Sequence, residues 1–199
     1  MLARATFFVA LALTAPAFAE EIACEGAFAI DSSEARLIEI YGADNVETGI
    51  VPGPEGTEML ATTVFPGDPR KALQFVWWDE DNLRDPGNIE LPSKALAHGG
   101  VHIGTTLAEL EAINGEAFTF NGFGWDYGGF ASFRTGALSN LPGGCHLSVG
   151  LFPHANLEGV DTMPVNGDVE VKSTDPLLDL MDVRVDTLSI GYPHPDFRD

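Results

Sequence analysis

The run Asn121-Gly-Phe-Gly-Trp125-Asp126-Tyr127-Gly-Gly129 packs three aromatic rings, a carboxylate and an amide into nine residues. Alternation along an extended backbone puts Phe123, Trp125 and Tyr127 on one face of a strand and Asp126 on the other. Rings so arranged, with Asp126 and Asn121 beside them, can stack on a sugar or anchor a protein partner. The competing explanation is that all three rings are core packing and Asp126 caps a neighbouring turn. The interleaved glycines allow close backbone approach or a bulge. A second run, Trp77-Trp78-Asp79-Glu-Asp-Asn82, carries adjacent indoles that face opposite sides of a strand, one inward and one outward. Trp125, Asp126, Tyr127 and Trp78 are therefore the candidate binding residues.

Other chemistry finds little support. There is no Gly-x-Ser-x-Gly elbow, and no glycine-rich loop carries the Lys and strand-to-helix setting of a phosphate cradle. Carboxylate pairs are abundant, but among thirty acidic residues a pair carries little information. Asp79 to Asp81 begins like a calcium loop, yet Leu83 stands at the fifth position and the Gly and closing Glu are missing, which predicts a solvated loop. His98 and His102 have an i, i+4 spacing that serves zinc only on a helix, and Gly99-Gly100 argue against one. His146 and His154 flank a strand without an obvious third ligand. No catalytic residue, metal site or cofactor is assigned.

The chain opens with Met1-Leu-Ala-Arg4, an apolar run from Phe7 to Leu13 and the small-x-small site Ala17-Phe-Ala19. That order predicts a secretory signal peptide over residues 1–19 and a periplasmic or secreted destination. Beyond it stand nine basic against thirty acidic residues. Such a surface repels phosphate backbones and anionic headgroups, so neither nucleic-acid nor membrane-surface binding is expected, and no later stretch is long or apolar enough to predict membrane insertion. In an exported chain the only two cysteines, Cys24 and Cys145, are expected to form a disulfide.

Two stretches must position these residues. Ser33-Glu-Ala-Arg-Leu37-Ile-Glu-Ile40-Tyr-Gly42 and Thr106-Leu-Ala-Glu-Leu110-Glu-Ala-Ile113-Asn-Gly115 align at a constant offset of 73 residues. The second is a capping box, Thr106 to Glu109, followed by an apolar stripe and a terminal Gly115. In the first, Asp31 or Ser32 is the expected cap, and Leu37, Ile40 and Tyr41 the buried face. Strands are predicted over 59–65 and 72–78 around the turn Pro66-Gly-Asp-Pro69, then over 118–120, 123–127, 130–133, 146–152, 169–171 and 183–192. Residues 79–92 read as an exposed loop, 176–181 as a short helix and 193–199 as a loose tail. The expected architecture is α+β: a tandem repeat of a short helix followed by an antiparallel sheet, helices on one sheet face. Residues 20–97 form the first unit and 98–199 the second, with a C-terminal extension, in one compact domain.

The string from Gly104 to Gly129, with its helix opening and Gly122-Phe-Gly-Trp-Asp-Tyr-Gly-Gly129, resembles the signature of a family of uncharacterised secreted bacterial proteins. More distantly, the pattern of Gly, Leu, Leu and Gly at helix spacing is similar to the helix opening of the outer-membrane assembly lipoprotein fold, duplicated in the secreted β-lactamase inhibitory protein. The resemblance implies a tandem helix-plus-sheet architecture and protein binding as a theme, and it carries over no individual residue. The function expected is that of an exported, non-catalytic binding protein of the bacterial cell envelope with a protein or glycan partner. The alternative is a hydrolase-like enzyme or carbohydrate-binding protein working through the aromatic and Asp strand.

Overall fold

The computed structural model describes residues 21–198, so the leader assigned to residues 1–19 lies outside the described residues. Helix α1 spans Glu34–Tyr41, α2 Leu107–Asn114 and α3 Leu177–Met181. The capping box forms as expected: Thr106 Oγ1 accepts from Glu109 N at 3.3 Å, and Glu109 Oε2 accepts from Thr106 N at 2.8 Å. Gly115 closes α2 in the left-handed conformation. The first cap is Ser33, not Asp31 or Ser32, with its hydroxyl accepting from Arg36 N. Asp31 is taken instead by the Arg36 guanidinium at 2.6 Å, and buried Ser32 donates to Ala27 O. Leu37 carries the burial of α1, whereas Ile40 points outward. Fully burying a leucine such as Leu37 or Leu110 is worth about 2 kcal/mol.

Nine antiparallel strands follow: β1 Val46–Pro52, β2 Glu58–Val64, β3 Leu73–Asp79, β4 Arg84–Glu90, β5 Thr119–Asn121, β6 Ala131–Ser132, β7 His146–Pro153, β8 Glu170–Lys172 and β9 Val183–Gly191. Six of them form a sheet in the order β1-β2-β3-β4-β9-β7, and three a smaller sheet in the order β6-β5-β8. A bridge between Phe130 and Gly150 ties the smaller sheet to β7. The protein is thus an α+β fold built on mostly antiparallel sheets.

Strand β4 runs through the stretch expected as a loop. Its Pro86-Gly87 pair is accommodated by a bulge: Trp77 pairs with Pro86 and Val76 with Asn88, leaving Gly87 unpaired. The β7–β9 pair has the same device, with Leu151 on Val185, Gly150 on Thr187 and Asp186 unpaired. The C-terminal segment is pinned rather than loose, because Arg198 reaches Asp85 Oδ1 at 3.3 Å and Pro193 O at 2.9 Å.

The bulge residues lie on β4 and β9, so β3 and β7 keep strict alternation. Leu73, Phe75 and Trp77 of β3, and Leu147, Val149 and Leu151 of β7, face inward with Ile89, Leu188 and Ile190. Together with Leu37 and Leu110 they belong to a single apolar cluster. On the opposite face Glu47, Thr63, Gln74, Glu90, Ser189 and Ser148 line up as one polar row across six strands. One covered and one open face is the usual state of an antiparallel sheet.

The N-terminal segment is held at several points. Ile22 N donates to Leu96 O at 2.7 Å. The expected disulfide joins Cys24 to Cys145, with their Cα atoms 5.8 Å apart. Fully buried Tyr192, just past β9, donates its hydroxyl to Phe28 O at 2.8 Å. Burial pushes the Tyr192 phenol from its ordinary value of 10 up to about 12. A raised folded-state value means the contribution is intact below pH 10 and lost as pH rises toward 12, worth about 2 kcal/mol in all. Urea unfolding of wild type and Tyr192→Phe at pH 9 and pH 11.5 should show the stability gap between them narrowing at the higher pH. A gap that stays constant would mean the phenol ionises as freely in the fold as outside it.

Candidate functional site

The segment from Gly122 to Gly129 is the connecting loop of the β5–β6 hairpin, not the strand expected from alternation. The three rings consequently part company. Phe123 is buried, its ring centroid 5.3 Å from that of Phe120. Trp125 and Tyr127 project at the apex, 38% and 57% exposed, with Asp126 exposed between them. Their rings meet edge-to-face at 5.4 Å, a favoured geometry for an aromatic pair.

The backbone is tied on both sides of these rings. Phe123 N donates to Val165 O, and Phe123 O accepts from Gly167 N, both at 2.8 Å. Trp125 Nε1 donates to Gly122 O at 2.8 Å, and Gly128 N donates to Trp125 O at 2.9 Å. Asn121, the amide singled out in the sequence, donates from Nδ2 to Tyr127 O at 3.1 Å. Gly129 has a φ of +80° and lies so close to β7 that a Cβ would fall 2.2 Å from Leu151 O. No other residue fits there. That contact sets the loop beside Phe152, and two further rings, Phe130 and Phe152, stand exposed next to it on the open face. Sequence reasoning missed these two. The signal was available for Phe152, since inward Leu147, Val149 and Leu151 leave the next residue outward.

Of the adjacent indoles, Trp77 is 2% exposed and Trp78 44%, as alternation requires. Trp78 lies over the bulge residue Gly87, whose Cβ would come 2.9 Å from the indole. Its Nε1 donates to Tyr192 O at 2.9 Å, and its ring meets that of His194 at 5.1 Å. It thereby borders a cleft of about 510 Å³ with Asp79, Asp81, Arg84, Asp85 and His194. The described contacts bring Trp125, Asp126 and Tyr127 together, and place Trp78 in this separate cleft.

The carboxylate most engaged in the cleft is Asp79. It accepts from Arg84 Nε at 2.7 Å and from Asn82. The Arg84 guanidinium, with help from Asn82, holds it below the usual carboxylate range. An ionised, fully engaged carboxylate suits polar recognition better than proton transfer near neutral pH. His98 pairs with Glu21, and His102 with Gly100 O and Thr105. Among the described residues no three His, Cys, Asp or Glu side chains converge as a metal set, and no helix is long and apolar enough to cross a membrane. Comparison with protein-family models, with curated proteins and with solved structures finds no match for this chain.

Proposed function

We propose that this is an exported, non-catalytic binding protein of the bacterial cell envelope, and that the Trp125–Asp126–Tyr127 apex is where it holds a protein partner. The observation that carries this reading is the combination of large exposed rings with a backbone already locked beneath them. Aromatic anchors on a preorganised loop lose little conformational freedom on binding, which makes them effective hot spots. Phe130 and Phe152 extend the apolar area, and the surrounding acidic surface would favour a basic partner.

The reading includes a duplicated unit, and the strand registers support it. Pairs of β3 with β4 recur in β7 with β9 at constant offsets: Gln74–Glu90 as Ser148–Ser189, Phe75–Ile89 as Val149–Leu188, Val76–Asn88 as Gly150–Thr187, and Trp77–Pro86 as Leu151–Val185. Thr48–Thr62 and Ala61–Val76 likewise find counterparts in Phe120–Ala131 and Phe130–Gly150. On this view Glu90 and Ser189, which pair with each other, lie on a pseudo-twofold axis, and Trp78 and Phe152 are equivalent exposed positions. The likeness to the assembly-lipoprotein fold and its duplicated inhibitor is part of the same proposal.

A photo-crosslinking residue placed at Asp126, against a control at exposed Ile50 on β1, tests the site in an envelope extract. A discrete adduct is expected at 126 alone, reduced at least tenfold by Trp125→Ala/Tyr127→Ala without a change in melting temperature. Equal labelling at both positions would remove the loop from the proposal. A glycan is the second reading, favoured by the Trp78 cleft, where an indole stands beside several carboxylates. Loss of glycan-array binding on Trp78→Ala but not on Trp125→Ala would select it.

A further inference from the structure

A second site is marked by a reversal of charge. Only nine basic residues occur in the described chain against a large acidic excess. Five of them are arginines each within ion-pair distance of a carboxylate: Arg36 with Asp31, Arg84 with Asp79, Arg134 with Glu170, Arg184 with Asp182 and Arg198 with Asp85. Three of the other four, Arg70, Lys71 and Lys94, ring one cavity of about 610 Å³. Its floor is apolar: Ile22, Phe28, Phe65, Leu73, Pro92 and Ala95. Asp68 answers two of the cations, at 3.2 Å from Arg70 Nε and 4.0 Å from Lys71 Nζ. No acidic side chain lines the cavity itself, and no ion pair to Lys94 is described.

The cavity is also built at some backbone cost. Phe65, just past β2, adopts a φ of +57°, in the left-handed region that aromatic residues rarely enter. It is held there by Phe65 N donating to Asn45 O at 2.7 Å and by Asp68 N donating to Phe65 O at 3.0 Å. The same turn that forces this conformation delivers the Phe65 ring to the wall and Arg70 and Lys71 to the rim. Strain of this kind concentrates where the surrounding structure has a use for it.

We propose that this cavity binds a small amphiphilic anion: a single apolar chain seated on Phe28, Phe65 and Leu73, with an anionic head held by Arg70, Lys71 and Lys94. The volume lies inside the roughly 300–1,000 Å³ range of small-molecule sites. Apolar walls with a few convergent charges supply affinity from the chain and orientation from the head. A cationic chain of the same length would lack the head contact and would be repelled by the three cations. The site is independent of the Trp125 loop, so either proposal can fail alone.

Sodium decanoate serves as the probe, titrated calorimetrically into the mature protein below its micellar concentration. Saturable binding is expected, at least tenfold tighter than that of decanol or decyltrimethylammonium and weakening with added salt. Arg70→Gln/Lys71→Gln/Lys94→Gln, which alters exposed side chains only, should lower decanoate affinity at least tenfold. Arg134→Gln/Lys172→Gln removes two like charges elsewhere and should leave it within twofold. Ala95→Phe, checked for an unchanged circular dichroism spectrum, should block the floor and abolish binding. Equal affinity for decanol, an equal effect of the two charge-removal variants, or the absence of any saturable decanoate binding would each overturn the proposal. Decanoate binding that survives both the triple substitution and Ala95→Phe would do so as well, by placing the ligand elsewhere.

Discussion

Replacing both cysteines, Cys24→Ser/Cys145→Ser, is expected to lower the melting temperature by roughly 10–15 °C. The bond closes a stretch of 121 residues, for which loop-closure entropy gives about 4–5 kcal/mol as an upper figure. In a domain of this size each kcal/mol moves the transition by about 2–4 °C. Both cysteines are buried, and the bond fastens the N-terminal segment to the start of β7. That segment brings Ile22 and Phe28 to the cavity ringed by cations and the Phe28 carbonyl to Tyr192. Thermal denaturation of the oxidised protein, the reduced protein and the double-serine variant checks the figure. The latter two should coincide. A drop below about 3 °C would mean that the unfolded chain is already compact enough for the crosslink to restrict little.

Legibility in the sequence followed the length scale of the governing interaction. The α2 capping box, the hairpin around Pro66-Gly-Asp-Pro69 and strand β7 were readable because each rests on local chemistry or unbroken alternation, and β9 was readable from its apolar content despite the bulge at Asp186. Strand β4 was not, since Pro86 and Gly87 are the residues that ordinarily end a strand. Only its pairing across the bulge, where Gly87 drops out of register beneath the Trp78 indole, makes them acceptable. Edge strand β1 carries Gly49 and Pro52 and is largely exposed, so it gives almost no apolar period.

The candidate site divides in the same manner. Aromatic content singled out Trp125, Asp126 and Tyr127, and alternation separated Trp77 from Trp78. The conformation of the aromatic run was misread, because alternating rings look like a strand even when glycines turn the chain every second residue. Phe123 is buried against nearby Phe120, but the clasp that turns the loop inward comes from Val165 and Gly167, some forty positions downstream. The three-cation cavity draws on residues from 22 to 95 and has no local motif at all.

The second large effect is expected at Thr62→Val, which should cost about 2–3 kcal/mol although it barely changes side-chain volume. Thr62 is fully buried on the covered sheet face, and its hydroxyl accepts from Trp77 Nε1 at 2.9 Å. It also shares a hydrogen bond of 2.6 Å with Thr48, whose hydroxyl donates to the Glu34 carboxylate at the start of α1. Removing the central hydroxyl leaves a buried indole N–H without an acceptor, and an unsatisfied buried donor costs about 1–3 kcal/mol. The network also couples α1 to the sheet, so Glu34 loses part of its anchorage. Under the proposed duplication the positions of Thr48, Thr62 and Trp77 are held in the second unit by Phe120, Ala131 and Leu151, an apolar set that needs no partners. A network can therefore be dispensed with whole but not in part. Urea unfolding of Thr62→Val, Trp77→Phe and the double variant measures this directly. The double variant should be less destabilised than the sum of the singles by at least about 1 kcal/mol, because Trp77→Phe deletes the donor that Thr62→Val orphans. Simple additivity would show that the indole finds another acceptor, and that the helix is held to the sheet by packing alone.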